Sequence, residues 1–382
     1  MHKLTGYGAI GAILTGTACA PATGLATSTS TSTSTSTSTS TSTSTSTSTP
    51  TPTPTSTATP TATLHPLSPT PFPLPSATPP SSLDYLAFDP SRSRVWVPEA
   101  TTGSVDVFDV ATHAFARVTG FTTAQRDVHG SKRTVGPSAV SIGDGFAYVG
   151  NRATGEICPV DTATLETKPC TKIAGSTDGV TYVASAKEVW VTVPHDQTLA
   201  ILDASRPAAL TAKTTIRLDG APEGYATDPT RGVFFTNLED KNATVVIDVA
   251  THRPKATWPL DCGEAGPRGL AADAERGLVF AACTDHLIVL DSAHGGAKVD
   301  SIDVGAGVDN IDWLASRRFL YAAAAKAAKA VVAHVDEQGH ASVVASGPIP
   351  HGARNGVVDT AGNLYLADPE NAGLLVLTAP TR

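Results

Sequence analysis

The chain predicts an all-β fold, a seven-bladed β-propeller that follows a Thr/Ser/Pro-rich tract. Three observations predict it. A unit recurs: DPSRSRVWVPEATTGSVDVFDVATH begins at Asp89 and DPTRGVFFTNLEDKNATVVIDVATH at Asp228, each reading as turn, strand, loop, strand, Asp, turn. An apolar strand ends near an Asp at Asp109, Asp161, Asp203, Asp248, Asp291 and Asp336, with a last copy at Thr378, so successive gaps are 52, 42, 45, 43, 45 and 42 residues. That spacing is close to one four-stranded blade, a small sheet that cannot bury its faces without neighbours on both sides. The strands are short, rich in Val, Ile, Tyr, Phe and Trp, and bounded by Gly, Asn, Asp and Pro.

Residues 1–20 read as a targeting segment. His2 and Lys3 form a basic start, and the apolar stretch from Leu4 to Thr17 is too short to span a bilayer. It ends GTACA, which admits a lipoprotein reading, with Cys19 as the lipidated residue although Gly16 stands where a lipobox usually has Leu. It also admits an A-x-A cleavage site at Ala18-Cys19-Ala20, or an uncleaved anchor. A literal GxGxxG (Gly6, Gly8, Gly11) lies inside this segment with no strand before it, so it marks no dinucleotide site.

Residues 21–82 read as a disordered linker. Thr and Ser alternate from Thr27 to Thr49, then Pro joins them, and no apolar face can be built from this composition. A tether of about 60 residues reaches roughly 40 Å as a coil and about 190 Å as polyproline II. Its expected role is to hold a folded head away from a surface.

Residues 83–382 carry the repeats. YAAAAKAAKAVVAHV, from Tyr321, has strong helix propensity, but repeat register assigns it to two strands and a loop. The chain ends at Arg382 with no room for a fourth strand in blade seven, so either a segment around Phe72 to Leu86 supplies it or that blade has three strands. The net charge of −8, with no basic stripe, argues against nucleic acid. Beyond Cys19 an even number of cysteines remains in a chain read as exported, and strand positions favour Cys158–Cys170 and Cys262–Cys283 as disulfides. Their spacing lacks the CxxC of a zinc site.

The units FFTNLEDKNATVVIDVATH and AYVGNRATGEICPVDTATL resemble the YVTN repeats, a WD40/YVTN-like propeller family found in surface-layer and YncE-like proteins, with pattern DP…G.vyVtN…ntvsviD.aT..v. The resemblance covers nearly all of residues 83–378. It implies a fold and no shared catalytic residue, since the same architecture hosts lyases, lactonases and quinoprotein domains.

On a propeller, the loops entering the inner strands and those joining second to third strands share one face. The residues just before the inner strands form an expected ring: Asp84, Ser138, Asp178, Glu223, Arg268, Asp309 and Arg354. Convergent carboxylates suit a divalent cation, and Arg suits carboxylate or phosphate. Acid–Arg pairs that neutralise one another are the bland reading of the same ring. The surplus in the 52-residue gap falls in FTTAQRDVHGSKRTVG, an insertion with Arg126, Asp127, His129, Lys132 and Arg133. His351, with Arg354 in IPHGARNG, is a candidate general base, as in the streptogramin-lyase-like propellers that this architecture resembles, and His129 is a second. His195-Asp196 and Asp285-His286 lie on the same face; His113 and His252 recur in a turn on the opposite face, which argues against catalysis there. No GxSxG, HExxH, P-loop or CxxC motif is present.

The leading expectation is therefore a non-enzymatic, monomeric binding head in the bacterial envelope, lipid-anchored on a stalk, for a protein, glycan or small ligand. An exported lyase- or lactonase-like enzyme with a cation at the channel mouth is the alternative, and a purely structural envelope component is a third. No cofactor is expected beyond that cation.

Overall fold

The structure, a computed structural model, describes residues 64–128 and 130–380. Seven sheets follow one another around a central channel, each with four antiparallel strands; the sixth carries a fifth, parallel strand at its outer edge. In blade order their inner strands are Ala87–Asp89, Pro137–Gly143, Val180–Val183, Pro222–Asp228, Pro267–Asp273, Val308–Leu314 and Arg354–Val358. Five short 3-10 turns are the only helical elements among the described residues.

Side chains alternate across each strand, so one strand feeds two interfaces. Val95 and Val97 of blade one pack on Tyr365 and Leu374 of blade seven, whereas Trp96 between them packs with Ala147 and Val149 of blade two. Phe234 likewise joins Trp190 of blade three, at 4.6 Å between ring centres, while Phe235 turns to Val279 of blade five. The apolar core is thus divided into seven clusters, one at each junction between neighbouring blades. This is why the middle strands read as continuous apolar runs: both of their faces are buried.

The repeated Asp after the third strand has a local cause. Asp109 accepts hydrogen bonds from the backbone N–H groups of Ala111 and Thr112, and Asp161 from those of Ala163 and Thr164. Asp248 and Asp336 do the same in their own turns. These bonds hold each carboxyl below the usual carboxylate value, because donated N–H groups favour the charged form. The Asn ending the second strand of blade four is a second device. Buried Asn237 donates to the carbonyls of Arg268 (2.7 Å) and Gly269 (3.3 Å) in blade five and accepts from Thr244, tying adjacent blades together.

Both disulfides form as the strand positions indicated. Cys158–Cys170 joins the third strand of blade two to the start of its outer strand, and Cys262–Cys283 ties the entry of blade five to the end of its second strand. The alanine-rich segment also follows the repeat. Phe319–Ala324 and Lys329–Val335 are paired strands, buried on both sides, and burial outweighs helix propensity there.

The ring closes through the N-terminal segment. Pro69–Pro73 pairs antiparallel with Gly373–Leu377 as the outer strand of blade seven, and His65–Pro66 adds a parallel pair to the outer strand of blade six. Strand pairing therefore begins within the 21–82 tract read as linker, and blade seven has four strands. Proline is tolerated because this is an edge strand, where one row of backbone groups needs no partner. Leu67 and Leu74 are buried by the closure, and Phe72 packs on Phe108 of blade one at 5.0 Å. Burying a large apolar side chain contributes about 1.5–3 kcal/mol, so the closing segment supplies on the order of 5 kcal/mol against a typical domain stability of about 5–15 kcal/mol. A chain beginning at Leu83 is expected to lose cooperative thermal unfolding, while one beginning at Pro60 keeps it; circular dichroism melts of the two truncations check this.

Candidate functional site

The loops entering the inner strands and those joining second to third strands meet around one end of the channel, and there the expected ring residues come together, although Ser138, Glu223, Arg268, Asp309 and Arg354 are the first or second residues of their inner strands rather than the residues before them. Arg152, from the second-to-third-strand loop of blade two, bridges two of its carboxylates: it donates to Asp84 at 3.0 Å and also to Asp178. Asp84 accepts a further bond from Asn355 of blade seven at 2.6 Å. Arg268 stands 3.9 Å from Glu223 and 2.7 Å from Glu239, and Arg354 stands 3.5 Å from Asp309. Ser138 is buried beside this network; its carbonyl accepts from the Tyr85 backbone N–H, and its hydroxyl has no hydrogen-bond partner among the described residues.

Arg152, Glu239 and Asn355 were missing from the ring read in the sequence. That reading sampled only the residue before each inner strand. Arg152 and Glu239 arrive from the other loops of the same face, directly after the second strands FAYVGN and VFFTNL. Scanning the residues after those strands would have found both.

Five carboxylates (Asp84, Asp178, Glu223, Asp309, Glu239) face three guanidinium groups (Arg152, Arg268, Arg354), so the mouth would be net negative with every group ionised. Burial is the largest influence on three of the acids. It pushes Asp84 up to about 6 despite Arg152, and neighbouring Asp178 and Asp309 add repulsion. Asp178 is raised by burial against the pull of Arg152, and Glu223 is raised well above its usual value by burial and by Asp178 and Asp309. Below the mouth, Tyr85 and Tyr225 approach across the channel at 5.8 Å, and the Tyr225 hydroxyl donates to the Val180 carbonyl at 2.8 Å. Burial also raises the Tyr85 hydroxyl well above its usual value, with Glu223, Asp178, Asp84 and Asp309 adding to it. This neutral aromatic pair floors the charged ring. Among the described residues, no three His, Cys, Asp or Glu side chains stand together as a metal site; the acids face guanidinium groups instead.

The insertion between blades one and two is an ordered hairpin, Ala124–Val128 with Ser131–Val135. Arg126 ties it to blade two by donating to the Ala153 carbonyl at 3.1 Å, and Asp127 accepts from the Gly130 N–H in its turn. His129 lies outside the described residues, as does Cys19. Between this hairpin, the Pro80–Leu83 segment and blade seven opens a cleft of about 480 Å³. Lys132, Arg133 and Arg354 line it together with Glu370.

His351 stands at the edge of that cleft. Its Nδ1 lies 3.2 Å from Glu370 Oε1, and both side chains are exposed. His195 and His286 each pair with the adjacent Asp, at 2.9 and 2.6 Å. On the opposite face, His252 packs against buried Glu188, with Nε2 at 3.0 and 3.1 Å from the two carboxylate oxygens, and His113 stacks on Phe108. His252 thus pairs with a buried carboxylate of the neighbouring blade, and His113 packs on an aromatic ring.

No family model matches the chain, and no curated protein matches it. Solved structures do. A chain of the Mitotic Checkpoint Complex aligns with TM-score 0.66 at 13% identity over 82% of this chain and 94% of its own. A catalytically inactive virginiamycin B lyase from Staphylococcus aureus with quinupristin aligns with TM-score 0.61 at 10% identity over 82% and 99%. The β-propeller domain of Cps50 (Swd1) from Myceliophteria thermophila aligns with TM-score 0.61 at 9% identity over 78% and 97%. The chain is a seven-bladed β-propeller. Likeness at such identity shows the fold alone, since propellers of this architecture serve unrelated chemistries.

The raised carboxyls make the mouth pH-sensitive with a definite sign. Asp84 titrates near 6 when folded against 3.8 as the reference, so the folded state holds the extra proton between those values. Its contribution to stability therefore grows as pH falls from about 7 to 5, the reverse of an acid stabilised by its partner. Asp106 and Asp312, also pushed up to about 6 by burial, act in the same sense. Asp84→Asn is expected to flatten the gain in melting temperature between pH 7 and pH 5 by roughly 1–3 °C, read by differential scanning calorimetry.

Proposed function

We propose that the protein is an exported, monomeric, YVTN-type (YncE-like) binding head of the bacterial envelope, held by lipid at Cys19 on the Thr/Ser/Pro-rich stalk, with its ligand face at the mouth end of the channel. The observation that carries this reading is the cleft beside blade seven. There a hairpin that interrupts the repeat is fastened to the ring by Arg126 and walls an open, charged volume, while the neighbouring mouth residues are spent on one another. A long insertion on a rigid scaffold is where binding residues concentrate. The Asn237 tether and the Asp-capped turns support the YVTN assignment, because each gives a structural reason for a residue of that repeat.

An exported enzyme, lyase- or lactonase-like, is the second reading, favoured by the His351–Glu370 contact. A carboxylate on Nδ1 fixes the imidazole and leaves Nε2 to act as a base next to the cleft. A divalent cation at the mouth fits less well, since its carboxylates are turned to Arg152, Arg268 and Arg354.

Two measurements test the proposal. Cys19→Ala is expected to move the protein from the membrane fraction to the soluble fraction of its cells, and retention in the membrane would refute lipid anchorage. His351→Gln is expected to leave ligand affinity within about twofold; a turnover that this variant lowers by about 10²–10⁴ would establish the enzyme reading instead.

A further inference from the structure

The cleft has chemistry that its structural surroundings do not require. Its wall carries three cations, Lys132, Arg133 and Arg354, and one carboxylate, Glu370, in a protein whose net charge is −8. Among the described residues, Lys132 and Arg133 make no ion pair or side-chain hydrogen bond. Hairpin register sets Lys132 opposite Asp127 and Arg133 directly opposite Arg126; the first pair is favourable across a strand pair, and the second, of like charge, is not. Arg354 reaches the cleft from blade seven; its buried Nε has no hydrogen-bond partner among the described residues and is ion-paired with Asp309 at 3.5 Å.

Hydroxyl and amide groups complete the wall. Thr134 and Gln125 are locked together at 2.7 Å, and Ser81, Ser82 and Thr101 stand on the opposite side. None of the lining residues is aromatic, so the cleft offers no platform on which a base or sugar ring could stack. The volume of about 480 Å³ lies within the range of small-molecule sites.

We propose that this cleft binds a compact, multiply charged oxyanion, a polycarboxylate or a phosphate ester, clamped between Lys132 and Arg133 on the hairpin and Arg354 on blade seven. Arginine forks and a lysine ammonium match carboxylate and phosphate oxygens. The ligand class deepens the binding-head reading and rests on it.

Calorimetric titration of the purified full chain at low salt, in an uncharged-amine buffer freed of metal by chelating resin, tests the proposal with tricarballylate, inorganic phosphate and uncharged glucose as probes. Binding by tricarballylate or phosphate but not glucose is expected, weakening as salt is added. The Lys132→Gln/Arg133→Gln double variant, both positions being exposed, is expected to melt as the wild type and to bind about tenfold more weakly or worse. Glu370→Gln removes the opposing charge and is expected to tighten binding about two- to fivefold. The probe that binds identifies carboxylate or phosphate as the source of the oxyanion. Absence of binding by both anions, or binding that neither substitution alters, would overturn the site. Glucose binding alone would also overturn it while leaving the binding head in place. Anion binding through the cleft accompanied by conversion of the probe, followed by NMR, would keep the site and remove the non-enzymatic reading.

Discussion

Every junction of this molecule depends on closure between the two ends of the folded chain. A blade is a four-stranded sheet with two apolar faces, and each face is buried only by the next blade around the ring. Six of the seven junctions join neighbours in sequence. The seventh joins blade seven to blade one, and there Phe72 and Leu74 from the N-terminal strand pack with Val95, Val97 and Phe108. Without the pairing of Pro69–Pro73 to Gly373–Leu377, blade seven would have three strands and the junction would lose part of its apolar cover. The closing contact is also the most distant in sequence, so it carries the largest loop-closure cost in the fold.

Closure brings one end of every blade to a common opening and crowds charge there. The mouth handles this by pairing Arg152 with Asp84 and Asp178, Arg268 with Glu223 and Glu239, and Arg354 with Asp309. Desolvation then makes the surplus acids hard to ionise, which explains the raised Asp84, Asp178 and Glu223. The adjoining cleft differs in both sign and economy. Its hairpin cations have no protein partners among the described residues, and Arg354 belongs to both places. The face is thus divided between a self-neutralised ring and a positively charged recess.

Much of the fold was legible because the repeat imposes the same local demands many times. The strand-ending Asp recurs because each turn offers it backbone N–H groups, as at Asp109 and Asp248. Register also read the alanine-rich run from Tyr321 correctly as strand against its own propensity. The site was legible only in part. The six charged ring positions do converge, yet Arg152, which connects two of them, sits in a loop whose sequence resembles many others. The insertion was visible as a surplus of residues, but its hairpin pairing and its cleft with blade seven were not, because Lys132 and Arg354 are far apart in the chain.

The sequence by itself determined the number of blades and the face on which charged residues gather, and it favoured one set of cysteine pairs that the folded strands then fixed, since these follow from local pattern and period. Tertiary structure alone decided which charges neutralise each other and which are left to face solvent. It also decided where the strand at Pro69–Pro73 goes. The reason is physical: strand period and turn chemistry act over a few residues, whereas charge pairing and ring closure depend on distances that exist only after seven blades have packed.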